Sequence, residues 1–120
     1  MLPMQPSFSL RIADAELDPD PLDPAAILAG DPQASDAVIW ESEDGRIVRG
    51  IWQCTPGVVA DVEQDEMFVV VSGRASIAFE DGRTLDVGPG DMGVLARGAR
   101  TTWTVHETLR KAYQILLPAS

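Results

Sequence analysis

The sequence predicts an all-β fold, a sandwich or barrel of short strands preceded by an N-terminal arm that contains one brief helix. Strand-like runs separated by glycine- or proline-containing turns follow one another from residue 37 onward. The tetrapeptide Glu-Asp-Gly-Arg stands at 43–46 and again at 80–83, each time between two such runs. Asp and Gly are expected to supply the positive φ angles that a tight hairpin turn demands. A chain of 120 residues with 45% hydrophobic content suits one domain with a single core.

Residues 1–36 are predicted to form the arm and residues 37–120 the barrel. Within the arm, SLRI at 9–12 is strand-like, and residues 23–30 carry a helix signal. Asp23 can cap a helix, Pro24 suits its first position and Gly30 can end it. The barrel strands are expected in the runs AVIWE, IVRGIWQC, EMFVVVSG, RASIAFE, RTLDV, MGVLA, TTWTVHE and KAYQILL.

The charge of the chain argues against two classes of partner. The sequence has 19 acidic and nine basic residues and a net charge of −10, which opposes binding to nucleic acid or to an anionic membrane. Residues 1–44 hold ten of the acids and one of the bases, a distribution interpreted as a solvated surface that keeps the protein soluble.

Targeting signals and cysteine usage favour a cytoplasmic location. The N-terminal stretch MLPMQPSFSL has neither a basic region nor a long apolar region, and no run approaches the 18 apolar residues of a spanning helix. Cys54 is the single cysteine and has no partner for an intramolecular disulfide. We interpret it as a small core residue, because a nucleophilic thiol needs a base beside it and no histidine is available there.

The glycine spacing of the second half resembles that of the cupins, a superfamily of small double-stranded β-helix barrels. The residues that carry the resemblance are Gly57, Glu66, Gly73, Gly88-Pro89-Gly90-Asp91 and Gly98. Glu66 and Gly73 match the end of the first cupin motif, and Gly90 and Gly98 match glycines of the second. The metal-ligating positions do not match, since the histidine of the second motif falls on Thr101 and the histidine pair of the first falls within 59–62.

A finer resemblance spans about residues 28–118. The segments ILAGDP, GIWQCTPG, DEMFVVVSGR, GPGD and TTWTVHETLRKAY look like the cupin subgroup that includes ureidoglycine aminohydrolase and the ethanolamine-utilisation cupin domains. The resemblance implies a homodimer. The alternation within EMFVVV agrees with that expectation, because Met67, Val69 and Val71 form a second apolar face that the barrel interior does not cover.

The sequence predicts neither a metal nor another cofactor. Transition metals in such barrels are held by several imidazoles and a carboxylate, and of those four ligands the matching positions keep only Glu66. His106, the only histidine, lies on the strand face opposite Thr101 and is expected to point outward. The acidic cluster ADVEQDE at 60–66 lacks the spaced ligands of a calcium loop and is interpreted as a solvated loop.

Strand alternation brings polar and aromatic side chains to the predicted barrel interior. Glu66 shares a face with Phe68 and Val70, and Thr101 shares a face with Trp103 and Val105. Lys111 and Tyr113 form a third face that joins them if it points inward. The candidate ligand-binding residues are therefore Glu66, Thr101, Trp103, Tyr113 and Lys111.

The same side chains have a purely structural interpretation. The rings could fill the barrel, and Glu66 could be buried beside a partner such as Lys111 or Arg49. If Glu66 is buried without a partner, its pKa is expected to be raised, and Glu66→Gln should preserve or increase stability.

Three functions stay open. The protein could be a metal-free cupin that binds a small polar metabolite, an enzyme related to ureidoglycine aminohydrolase, or an interaction subunit whose barrel is packed shut. The first requires least of the residues present, so we expect a binding protein more than an enzyme, with no catalytic residue assigned.

Overall fold

The computed structural model describes residues 7–119, and nearly all of its regular structure is strand. Single turns of 3₁₀ helix lie at Ile12–Asp14 and Pro24–Ala26. The strands are β1 (Asp18–Pro19), β2 (Ile27–Gly30), β3 (Ala34–Glu41), β4 (Ile47–Cys54), β5 (Gly57–Val62), β6 (Asp65–Phe79), β7 (Thr84–Val87), β8 (Met92–Leu95) and β9 (Arg100–Leu116).

Two long strands, β6 and β9, organise the barrel. They pair antiparallel along most of their length, from Asp65 opposite Leu116 to Phe79 opposite Thr101. The first half of β6 and the second half of β9 continue into β8 on one side and β4, β3 and β1 on the other. Their remaining halves continue into β7 and into β5 and β2. The sheet curls because both long strands belong to both halves, and this confirms the predicted all-β double-stranded barrel.

The β6–β9 pairing is irregular at the point where the sheet bends. Its register shifts three times between Val70 and Ala75. Gly73 lies there with φ +83°, and a Cβ at this position would overlap the carbonyl oxygen of Thr108. The bend therefore depends on a residue without a side chain.

The core fills the interior between the two halves. Its fully buried side chains include Phe68 and Val70 of β6, Ile77 beyond the bend, and Leu109 of β9. Cys54 is also fully buried, and desolvation raises the pKa of its thiol to about 11. Its prediction as a core residue is confirmed.

Both Asp-Gly sequences form hairpin tips, as predicted, but with different backbone angles. Gly45 and Gly82 have positive φ values of 73° and 95°, whereas no non-glycine residue among those described has a positive φ. The expectation that Asp and Gly both supply positive φ is wrong. Hairpin loops longer than two residues are built from an ordinary turn followed by one left-handed residue, so they require a positive φ only at the glycine.

The arm differs from its prediction in two places. Residues 9–12 do not form a strand. This segment contacts the barrel through individual carbonyl oxygens, such as that of Ile12, and does not pair with a neighbouring strand. Asp23 does cap a helical turn, accepting the backbone N–H of Ala25, but the turn ends at Ala26. Residues 27–30 pair with β5 instead, since an edge of the sheet is available to them. The division at residue 36 stays a prediction.

None of the helical segments within residues 7–119 has the length and apolar character needed to cross a bilayer.

Candidate functional site

A cavity of about 360 Å³ lies inside the barrel, within the size range of small-molecule sites. Its floor and walls come from inward-facing positions of β4, β5, β6 and β9, and its mouth is bordered by the arm. The lining comprises Asp20, Leu22, Asp23, Ala26, Asp36, Trp52, Cys54, Val59, Ala60, Asp61, Glu63, Glu66, Trp103, Val105, Lys111, Tyr113 and Ile115. Four of the five predicted ligand-binding residues are therefore brought together, and the third predicted face does point inward.

Lys111 and Glu66 form a buried ion pair at the cavity. The Lys111 Nζ lies 2.5 Å from the Glu66 Oε2, and each side chain is 8% exposed. The ammonium also lies 4.7 Å from the ring centroid of Phe68 and 4.9 Å from those of Trp52 and Trp103. Lys111 is thus surrounded by aromatic faces and held by one carboxylate.

Of the two arrangements left open for Glu66, the structure has the one in which Lys111 is its buried partner. Desolvation still raises the pKa of Glu66, while the neighbouring Lys111 ammonium opposes the rise. A neutral glutamine side chain at position 66 would leave Lys111 without its carboxylate partner. The prediction that Glu66→Gln preserves stability therefore no longer follows.

Glu63 is the functional candidate that the sequence reasoning missed. It is buried, 4% exposed, and its Oε2 accepts the Thr101 hydroxyl at 2.7 Å and the Trp103 indole N–H at 2.9 Å. The interpretation of the 60–66 cluster as a solvated loop is wrong, because all of it except Glu63 and Gln64 lies in β5 or β6, and the side chains of Glu63 and Glu66 are buried. The sequence held one signal for it. A buried Trp103 needs a hydrogen-bond acceptor for its indole N–H, and Glu63 is that acceptor.

Thr101 has a different place from the other predicted residues. Its hydroxyl donates to Glu63, and the residue borders a shallower depression next to the main cavity. Asp61, directly opposite Thr101 in the β5–β9 pairing, borders both spaces. Partial desolvation and then the charge of Glu63 raise the pKa of Asp61 to about 6.

Tyr113 closes the cavity toward the arm. Its hydroxyl donates to Asp36, with oxygen–oxygen distances of 2.9 and 3.1 Å. Burial and the Asp36 carboxylate raise the pKa of Tyr113, and burial raises the pKa of Asp36. Gly50 lies opposite Tyr113, and a Cβ there would come within 2.5 Å of the tyrosine hydroxyl oxygen. The glycine makes room for this ring.

Arg110 holds the arm beside the opening of the cavity through contacts that the sequence pattern did not predict. The Arg110 guanidinium donates to the carbonyl oxygens of Ile12, Ala13 and Ala15 at 2.8–3.3 Å, and its Nε donates to Gln53. This holds the arm against the barrel, so that Asp20 and Leu22 reach the cavity mouth. The contact joins positions 95 residues apart, a separation that local patterns do not reveal.

The donor set at the cavity does not fit a transition metal. His106 points outward as predicted and contacts the Ser76 hydroxyl at 2.9 Å. Glu66 already holds an ammonium, whose charge would repel a metal cation. Among residues 7–119, no group of three or more His, Cys, Asp or Glu side chains is arranged to hold a metal ion.

Comparison with protein families agrees with this geometry. Residues 41–113 match the model of the EutQ-like cupin domain, which covers β4 to β8 and most of β9. The chain belongs to the EutQ-like cupin family. The more specific resemblance to ureidoglycine aminohydrolase is not shown by this match. No match was found among curated proteins.

Solved structures of EutQ-like and related cupins have the same fold. A Pseudomonas syringae protein of unknown function from the DUF861 family has 28% identity and a TM-score of 0.77 over 85% of this chain. This chain spans only 45% of that protein. Clostridium difficile EutQ has 16% identity and a TM-score of 0.70, over 91% of this chain and 86% of its own. A putative ethanolamine utilization protein from Salmonella typhimurium has 19% identity and a TM-score of 0.62, over 70% of this chain and 69% of its own. At 16% and 19% identity, the similarity to these last two proteins shows a shared fold and nothing further.

Proposed function

We propose that this EutQ-like cupin binds a small polar metabolite in its barrel without a metal. The observation that carries the proposal is the cavity of about 360 Å³ beside the buried Lys111–Glu66 pair. Aromatic and aliphatic walls exclude water from an apolar ligand body, while a few fixed polar groups orient it. Trp103, Tyr113, Glu66 and Lys111 are the proposed contacts, and Thr101 acts through Glu63.

The two other functions have less support. A barrel packed shut is opposed by the cavity itself. An enzyme of the ureidoglycine aminohydrolase type would need the metal ligands that positions 59–62 and Thr101 do not supply. A cytoplasmic location is proposed on the sequence argument alone.

A thermal-shift screen tests the binding function. A metabolite that occupies the cavity at about 100 times its Kd should stabilise the protein by about 2.7 kcal/mol and raise its Tm by several degrees. The variant Val59→Phe enlarges a wall side chain that lies opposite Trp103 and should abolish the shift. Val38→Phe, the same substitution at a position that is 53% exposed and does not border the cavity, is the matched control. If the shift survives in Val59→Phe, the ligand binds elsewhere and the proposal is wrong.

A further inference from the structure

We infer that the ligand is a small organic cation, an ammonium or guanidinium group on a short apolar body. The inference rests on the proposed binding function and names the chemical class of its ligand. It is carried by the unbalanced charge of the cavity and by the way the cavity holds the protein's own ammonium.

Carboxylates outnumber cations at the cavity. Six acidic side chains and one basic side chain, Lys111, line it: Asp20, Asp23, Asp36, Asp61, Glu63 and Glu66. Lys111 compensates Glu66, and the side-chain donors to Glu63 and Asp36 are neutral. One positive charge brought by a ligand would therefore reduce the repulsion among the remaining carboxylates.

Lys111 shows independently that these walls accept an ammonium group. Its Nζ is stabilised inside the barrel by three ring faces at 4.7–4.9 Å and by Glu66. The rings of Trp52 and Trp103 also border the cavity, so the same kind of surface faces the ligand.

Asp61 is the anchoring carboxylate that the geometry indicates. When ionised, it accepts the backbone N–H of Val62, at 2.8 Å, whereas Glu63, Glu66 and Asp36 each accept a side-chain donor. It stands at the cavity border beside Glu63, with which its carboxyl shares a side-chain hydrogen bond, so an incoming cation would take the place of the proton between these two acids. The apolar body would then lie against Val59 and Trp103.

An anionic ligand would meet a less suitable environment. The cation that lines the cavity, Lys111, is already paired with Glu66. The anion would also approach Asp36 and Asp61, and like charges in a partly desolvated space repel strongly.

Three probes of similar size test the charge of the ligand: butylammonium, butyramide and butanoate. Binding is measured by isothermal titration at about pH 8, where Asp61 is ionised and a primary ammonium remains protonated. Butylammonium should bind at least about tenfold more tightly than the other two. Asp61→Asn should weaken butylammonium binding about tenfold and leave butyramide unchanged. Glu43→Gln, which removes the same charge from an exposed hairpin tip, should change neither.

The outcomes separate this inference from the proposed function. If butanoate or butyramide binds best, and Val59→Phe abolishes that binding, the cavity is a ligand site but the cation assignment is wrong. If none of the three probes binds and the metabolite screen also gives no shift, both proposals fail. If Asp61→Asn and Glu43→Gln weaken butylammonium equally, attraction by the overall charge explains the binding and Asp61 is not the anchor.

Discussion

At the residue scale, the buried Lys111–Glu66 pair is expected to depend on both of its members. Glu66→Gln should lower the free energy of unfolding by about 3 kcal/mol, because it leaves the Lys111 ammonium buried without its carboxylate. The double variant Glu66→Gln/Lys111→Met should recover at least half of that loss, since it removes the buried charge as well. Urea denaturation measures both. A loss below about 0.5 kcal/mol in the single variant would show that solvent already screens the pair.

Asp61 should make stability depend on pH in a defined direction. Its pKa is raised from 3.8 to about 6 in the folded protein, so the folded state binds the proton more tightly than the unfolded state. The contribution of Asp61 to stability is thus present at low pH and is lost as the pH rises through about 6. Asp61→Asn should match the unmodified protein near pH 4 and become relatively more stable above pH 6. Thermal unfolding across this range measures the difference, and a constant difference would contradict the assignment.

At the element scale, the bend between the two halves of β6 is expected to require Gly73. Gly73→Ala combines a φ of +83° with a Cβ that overlaps the Thr108 carbonyl, and we expect a loss of at least about 3 kcal/mol. Gly82→Ala is the matched control, because Gly82 has φ +95° but no atom within 4 Å of an added Cβ. It should lose about 1 kcal/mol, from backbone strain alone. Equal losses in the two variants would show that the Thr108 contact relaxes freely.

At the scale of the whole molecule, we propose that two copies pair through the outer face of β6 and β8. Met67, Met92 and Val94 are 44%, 60% and 70% exposed there, and Met67 lies opposite Val94 in the β6–β8 pairing. The predicted second apolar face of EMFVVV is therefore present, although Val69 and Val71 are only partly exposed.

Light scattering at micromolar concentration should give about twice the 12.9 kDa mass of one chain. Val94→Glu should shift this to the monomer, because the interface would bury a charge on each side. Leu28→Glu changes another exposed apolar residue, 58% exposed on β2, and should remain dimeric. A monomeric unmodified protein would contradict the proposal, and a monomeric Leu28→Glu would place the interface elsewhere.

Much of the candidate site follows from strand alternation, and the part that does not follow depends on which strands become neighbours. Period-two patterns placed Glu66, Phe68 and Trp103 on inward faces, because successive side chains of a strand alternate between the two sides of the sheet, but they left the direction of Lys111 open. The same pattern could not tell whether Glu66 faces a partner, since its distance to Lys111 depends on the register between β6 and β9.

The sequence by itself determined the all-β barrel, the hairpin tips and the lack of the cupin histidines, because these depend on local turn chemistry and on the identity of single residues. Only the tertiary structure decided that Glu63 turns inward, that residues 27–30 form a strand, and that Arg110 holds the arm against the barrel. Each of these depends on partners far along the chain: Glu63 needs the donors of β9, β2 needs the free edge of β5, and Arg110 needs carbonyl groups of the arm. A hydrogen bond stabilises the fold only when donor and acceptor lie at the right distance and angle. The local sequence around one residue does not show where a distant partner lies in space.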